Sequence, residues 1–245
     1  GATTNGMLLD QETVARIVDS GLDMLAFSLA GADGFHDQAR PGASLSKVLS
    51  AMELLHREKQ KGKSHTPRIN IAYMLLRSGL ESLSGLPQLL EGLGVDQVVI
   101  SALDFLPSRG LSPETLWSAD LKEYQELERR IKEVADRAAV GGLHVNCHLR
   151  SPSPGGRGCG ENVRRALVVS ASGELTPCVF TNLPVSGATY LTTDGSECSY
   201  LPMSFGNLAD LSLAAIWRRP AYVRFRGSFH PGTLSDSCRH CAKLQ

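Results

Sequence analysis

Between Asp10 and Leu103 the chain alternates amphipathic segments with short apolar runs, and this alternation constrains its fold more than any other feature. Asp10 stands as an N-cap before a helix over 11–20, with Val14, Ile17 and Val18 on one face and Gly21 as its stop. MLAFSL at 24–29 is a nearly continuous apolar run, the pattern of a strand covered on both faces. After a polar, Gly-rich loop, a helix is expected from about Ser44 to Lys61. Leu45, Val48, Leu49, Met52 and Leu55 share one of its faces, and its C-terminal end is basic, which complements the helix dipole. RINIAYML at 68–75, LPQLLEGLG at 86–94 and QVVISAL at 97–103 continue as strand, helix and strand. Buried strands alternating with helices mean parallel βαβ units, in a barrel or in an open doubly wound sheet. In both, chemistry sits at the C-terminal ends of the strands. Three complete strands are legible, too few to close a barrel.

Beyond residue 110 the pattern changes. Ser112-Pro113-Glu114 is read as the opening of a long helix reaching about Val140, with Lys122, Glu123, Glu126, Glu128, Arg129 and Arg130 as its solvated face. SPSPGGRGCG at 151–160 is rich in breakers and marks a boundary. The expected organisation is an α/β unit over 1–110, a connecting helix and linker over 111–150, and a smaller α+β unit over 151–245. The 25 basic and 25 acidic side chains cancel, which gives no electrostatic case for nucleic acid or an anionic membrane as partner. No apolar run approaches the roughly 20 residues that cross a bilayer. The sequence begins at Gly1, and GATTNGMLLD has neither the charged nor the apolar region of a signal peptide.

All six cysteines fall in the last 99 residues, at 147, 159, 178, 198, 238 and 241. That crowding is unlike a disulfide framework spread through a short secreted chain. Cys238-Arg-His-Cys241 sets two sulfurs on one tight turn, a pattern shared by redox dithiols and metal sites. RALVVSASGELTPC reads as a hairpin turning at Ala171-Ser172-Gly173, which carries Cys178 back towards Cys159. Two such pairs supply the four thiolates that a tetrahedral zinc or an iron–sulfur cluster requires. Spacing alone does not separate the two metals.

These residues resemble a known family. Cys159-x13-Gly173-x4-Cys178 is similar to the motif opening the SPASM and twitch extensions of radical S-adenosylmethionine (radical SAM) enzymes. FGNLADLSLAAIWRRPAYVRFR at 205–226 resembles the segment that follows it, and CRHC supplies a closing pair. Upstream, TNGMLLD (4–10), SGLDMLAFSLAG (20–31) and HDQARPGASLSKVLSAMELL (36–55) look like the third strand's end, the fourth strand, and the loop and helix after it. The resemblance implies the C-terminal part of a partial (βα)6 TIM-like barrel, strands four to six lying in 1–110, followed by a small α+β SPASM or twitch domain. The family's C-x3-C-x2-C loop for the catalytic cluster is absent, since no cysteine precedes Cys147. A full SPASM extension also continues past its C-x2-C pair with further cysteines, whereas four residues follow Cys241 here. The implied protein is a fragment, with Gly1 marking a cut.

What the resemblance implies for the site is specific. Cys159, Cys178, Cys238 and Cys241 would ligate one auxiliary [4Fe–4S] cluster. Arg239, His240 and Asn162 are either donors to its edge or solvated surface residues. Ser28, at the end of the fourth strand, would bond the ribose of S-adenosylmethionine, Arg40 would pair with its carboxylate, and Asn5 is a further contact. Each of these three also suits an ordinary loop or capping role. Asp104 and Arg109 are placed to face substrate. Cys147 is unassigned, and Cys198, in the polar loop TTDGSECSY, is read as a thiol outside the set. His36, His144 and His148 lack metal-like spacing and are read as surface residues. The intact enzyme would use a second [4Fe–4S] cluster and an electron donor such as flavodoxin or ferredoxin. Its 5′-deoxyadenosyl radical would act on a small-molecule or peptide substrate, with the protein in the cytoplasm. The competing readings are a zinc-stabilised binding module with a structural four-cysteine site, and an α/β protein whose C-x2-C is a redox dithiol.

Overall fold

In the computed structural model the chain divides into two compact units, Gly1–Leu103 with Glu114–Leu149 and Asp104–Pro113 with Arg150–Gln245. The structure describes residues 1–103, 105–118, 120–147, 149, 159–183, 189–191, 196–200, 202–229, 234, 238 and 241. Asp104, His148, Arg239, His240 and the breaker-rich 151–158 lie outside the described residues.

The first unit runs β1 (Ala2–Thr4), α1 (Gln11–Asp19), β2 (Met24–Leu29), α2 (Phe35–Ala39), α3 (Leu45–Lys61), β3 (Arg68–Leu75), α4 (Leu86–Leu90), β4 (Val95–Ala102), α5 (Leu121–Val140) and β5 (His144–Cys147). Its sheet has five strands in the order β1-β2-β3-β4-β5, every neighbouring pair parallel. Strand order equal to chain order is the barrel-type winding; a doubly wound sheet reverses direction at a switch point. The register carries alternate side chains to one face. Leu25, Phe27 and Leu29, Ile69, Ile71, Tyr73 and Leu75, and Val98, Ile100 and Ala102 join Val14 of α1, Val48 and Met52 of α3, and Leu127, Ile131 and Val134 of α5 in one core. The intervening positions, among them Ser28, Asn70, Gln97, Ser101 and Asn146, take the opposite face.

The helices show why these residues stop and start where they do. The Asp10 carboxylate accepts the Thr13 amide at 2.8 Å and caps α1, and Gly21 turns the chain out at φ +71. The expected 86–94 helix is shorter: α4 ends at Leu90, because Gly92 and Gly94 adopt φ +75 and +65. The long helix does not open at Ser112. Residues Arg109–Glu114 form a 3-10 turn with Pro113 inside, and α5 starts at Leu121 under an Asp120 cap whose carboxylate accepts the Lys122 amide at 2.8 Å. Tertiary bonds explain the delay. The Glu114 carboxylate accepts from the amide and hydroxyl of Ser78, and Arg77 Nε donates to the Thr115 carbonyl at 2.9 Å. Those bonds hold 114–115 against the Arg77–Gly79 turn and outside α5. The exposed face of α5 carries the pairs Arg129–Glu126, Arg129–Glu133 and Lys132–Asp136.

The second unit holds β6 (Val168–Val169) and β7 (Leu175–Thr176), an antiparallel pair, then β8 (Thr189–Leu191) and β9 (Glu197–Ser199), a second antiparallel pair, then α6 (Leu213–Trp217) and α7 (Pro220–Gly227). Its core joins Val163, Leu175, Ile216, Tyr222 and Phe225 to Cys178 and Cys238, with Cys159, Phe205, Trp217 and Phe229 packed around them. The aromatic rings interlock: Phe205 stacks on Tyr222 at 4.2 Å, and Trp217 meets Tyr222 edge-on at 5.2 Å. Among the described residues no helix is long and apolar enough to cross a membrane.

Candidate metal centre

The β6–β7 hairpin positions the first cysteine pair. Gly173 takes φ +82 at its turn, a conformation that favours glycine, and a Cβ there would stand 2.7 Å from Asn207 Oδ1. Asn207 fills that space with purpose. Its Nδ2 donates to the Ser172 carbonyl and to the Glu174 carboxylate, both at 2.9 Å, while its Oδ1 accepts the Ala209 amide. The backbone adds Leu175 N to Gly206 O at 2.8 Å, Phe205 N to Leu175 O at 2.9 Å and Leu208 N to Gly173 O at 3.0 Å. The Gly206-Asn207-Leu208 turn is thereby laced to the hairpin.

Cys178 sits buried just past β7 and is held from two sides. The hydroxyls of Thr176 and Thr181, both buried, each lie 2.8 Å from the Cys178 carbonyl. Its sulfur reaches the Thr181 hydroxyl at 3.8 Å. Burial pushes the Cys178 thiol up, the Thr181 hydroxyl opposes that, and the neighbouring Cys159 and Cys238 sulfurs push it further. Cys178 and Cys238 thus share one apolar core, with Cys159 packed against it. Cys241 follows within a turn, its amide donating to the Cys238 carbonyl at 3.2 Å. All six cysteines are thiols. Among the described residues no three His, Cys, Asp or Glu side chains are yet gathered closely enough to hold one metal ion. The donor set, soft sulfurs in apolar and aromatic surroundings, fits an iron–sulfur cluster.

Spacing alone did not reveal two neighbours of this core. Cys198 lies on β9 rather than in a loop, in register with Tyr190 of β8. Burial raises the Tyr190 hydroxyl's pKa, and the sulfurs of Cys198, Cys241 and Cys238 raise it further. Asn162 adopts φ +52 and its amide donates to the Cys159 carbonyl at 3.3 Å, closing a turn at that cysteine. Arg109 is engaged by Glu197, Nε to carboxylate at 2.9 Å. Cys147 belongs instead to the first unit, on β5 and against the helix-covered core.

In the first unit the three strand-end candidates keep distinct local roles. Ser28 is half-buried in β2, opposite Ala72 of β3. Asn5 directly follows β1, whose Thr4 is in register with Phe27, and its side chain accepts the Met7 amide at 3.1 Å. Arg40 ends α2, its amide donating to the His36 carbonyl at 3.0 Å. His36 corrects the surface reading: it is fully buried, and its Nδ1 accepts the Ala30 amide at 3.2 Å. The ring proton then belongs on Nε2, a buried atom with no partner among the described residues. Burial holds the His36 pKa below its ordinary value, the Arg40 charge pushes the same way, and Asp37 opposes. A lone histidine carries no periodic signal, so only the loop's tertiary path could reveal this. His144 is exposed, as expected.

Residues 159–242 match the SPASM family, described as an iron–sulfur cluster-binding domain. The chain is 26% identical over 246 residues to the tungsten-containing aldehyde ferredoxin oxidoreductase cofactor-modifying protein of Pyrococcus furiosus, with 99% of this chain and 65% of that protein covered. It is 24% identical over 249 residues to the PqqA peptide cyclase of Granulibacter bethesdensis, covering 99% of this chain and 59% of the relative. The chain thus spans about three-fifths of the curated relatives it matches. Streptococcus suis SuiB bound to S-adenosylmethionine superposes with a TM-score of 0.62 at 13% identity, over 92% of this chain and 49% of SuiB. SuiB bound to its precursor peptide SuiA gives 0.61 at 14% identity, over 99% and 52%. At such identity the structural likeness speaks for the fold. With the parallel sheet wound in chain order and the cysteine-bearing hairpin already in place, residues 159–242 match the SPASM iron–sulfur cluster-binding domain, and the chain as a whole resembles radical SAM enzymes that carry one.

Proposed function

We propose that the chain is part of a radical SAM enzyme in which Cys159, Cys178, Cys238 and Cys241 hold one auxiliary [4Fe–4S] cluster. The observation that carries this reading is the shared core: Cys178, clamped by two threonine hydroxyls, senses both Cys159 and Cys238. When bound, the cluster supplies an acceptor or relay for one electron. The protein's own part is to hold the four thiolates, keep water from the buried Cys178 and Cys238, and surround them with aromatic rings. A zinc module would use the same thiols but leaves the strand ends of the first unit without a task.

Those strand ends are the proposed S-adenosylmethionine contacts. Asn5 and Ser28 follow or end neighbouring parallel strands, and Arg40 closes the short helix after β2. The intact protein would add a second [4Fe–4S] cluster and receive electrons from a flavodoxin or ferredoxin. Its 5′-deoxyadenosyl radical would take a hydrogen atom from the substrate. A peptide substrate is favoured, because one relative is named as a peptide cyclase and SuiB is bound to a precursor peptide. The Pyrococcus relative, named for modifying a cofactor, supports a small molecule as the alternative.

Anaerobic reconstitution with iron and sulfide tests this reading. The expected yield is about four irons and about four sulfides per chain, with absorption near 400 nm and an electron paramagnetic resonance signal on reduction. Zinc uptake without iron would overturn it. The chain lacks any cysteine before Cys147, so it is expected to leave S-adenosylmethionine intact.

A further inference from the structure

Arg226 is half-buried against the second unit's aromatic core. Its guanidinium carbon lies 3.8 Å from the ring centroid of Trp217 and 4.4 Å from that of Tyr222, and its Nη2 donates to the Trp217 carbonyl at 2.8 Å. A guanidinium keeps its charge at every physiological pH. Among the described residues no carboxylate pairs with it. Its Nη1 is buried without a hydrogen bond of good geometry there, and the buried Tyr222 hydroxyl lies within the guanidinium's influence. Tyr222 is fully buried and belongs to the core that contains Cys178 and Cys238, with Phe205 stacked on it at 4.2 Å. Burial pushes the Tyr222 hydroxyl's pKa up, the charge and hydrogen bonding of Arg226 draw it down, and the Cys178 sulfur raises it, so the hydroxyl responds to the cation and to Cys178 alike.

A half-buried cation whose Nη1 is fully buried beside a buried hydroxyl is costly unless an anion or acceptor meets it. Four thiolates on an iron–sulfur cluster provide both, since the assembly is negatively charged and its sulfurs accept hydrogen bonds. We propose that Arg226, acting with Tyr222, tunes the redox potential of the cluster held by the SPASM cysteines. Reduction adds one negative charge to that cluster. A fixed positive charge at the edge of that low-dielectric core and a hydroxyl donor within it favour the reduced form, so both raise the potential. The aromatic sandwich keeps the guanidinium from swinging into water. Arg226 is a positioning and tuning residue in this view, and the inference rests on the cluster reading above.

The test is a redox titration of the reconstituted chain, followed by electron paramagnetic resonance, with iron content measured for every variant. Arg226→Gln is expected to weaken one-electron reduction by at least tenfold, a midpoint about 59 mV more negative. Arg226→Lys, which keeps the charge, is expected to stay near the parent potential. Tyr222→Phe keeps the ring and is expected to shift the potential in the same direction by less. This variant decides the matter where Arg226→Gln loses its fold, because an unchanged potential there overturns the pairing. Equal potentials for the parent, Arg226→Gln and Tyr222→Phe, at full iron content, overturn the inference alone. A parent chain that takes up no iron overturns both this inference and the cluster reading.

Discussion

The two units solve the problem of stability by different means. Among the described residues, the first unit gathers 24 buried side chains into one core between a parallel sheet and its helices, whereas the second gathers seven, two of them cysteines. A core of the first kind sustains itself by apolar burial. One of the second kind is small enough to need a cross-link, and metal–thiolate bonds between distant segments would supply it. The difference teaches where each unit is fragile: the first in its packing, the second in its cysteines.

That contrast can be broken most severely at Cys178. Cys178→Ser is expected to abolish nearly all iron uptake by the second unit and leave the first unit's far-ultraviolet signature intact. Iron analysis and circular dichroism on the same sample check both halves. Next comes Phe27, fully buried in β2. Phe27→Ala should cost about 3–5 kcal/mol in urea unfolding of the first unit, with iron uptake unchanged while that unit remains folded. If the same substitution empties the metal site under folding conditions, the two units are not energetically separate. A smaller effect belongs to the clamp on Cys178. Thr181→Val removes a buried hydroxyl and is expected to lower the second unit's stability by about 1–3 kcal/mol, read from its thermal transition with the cluster bound.

The mildest test is pH, and it reports on the first unit only. His36 is held neutral in its buried site, so its folded pKa lies below the unfolded value of about 6.5. The unfolded chain then binds the extra proton first. The stability due to the neutral ring is whole above about pH 6.5 and declines as the pH falls through that value towards the lower folded pKa. Urea midpoints at pH 7.5 and 5.5 should show the decline, and His36→Gln should flatten it. A slope that survives the substitution would assign it to other groups.

Much of the first unit was legible because a parallel sheet imposes a strong local pattern. The apolar runs at 24–29 and 68–75 coincide with β2 and β3 residue for residue, and the Asp10 cap and Gly21 stop stand as read. β5 escaped because His144-Val-Asn-Cys147 is short and half polar, and its strand character comes from pairing with β4. The start of α5 was misplaced for a related reason: Ser112-Pro113 has the local chemistry of a helix opening, but Ser78 and Arg77, more than 30 residues away, hold its neighbours elsewhere. In the second unit the hairpin and its turn glycine were readable from spacing and composition. The threonine clamp, the Tyr190–Cys198 register and the buried Arg226 were not. They depend on which segments meet in three dimensions, and no single stretch of sequence encodes that.

Gly173 and Asn207, 34 positions apart, form one joint rather than two motifs. The stretch that the joint closes contains Leu175, Thr176, Cys178 and Thr181, so a side chain at position 173, set 2.7 Å from Asn207 Oδ1, would disturb both flanks of the Cys178 segment at once.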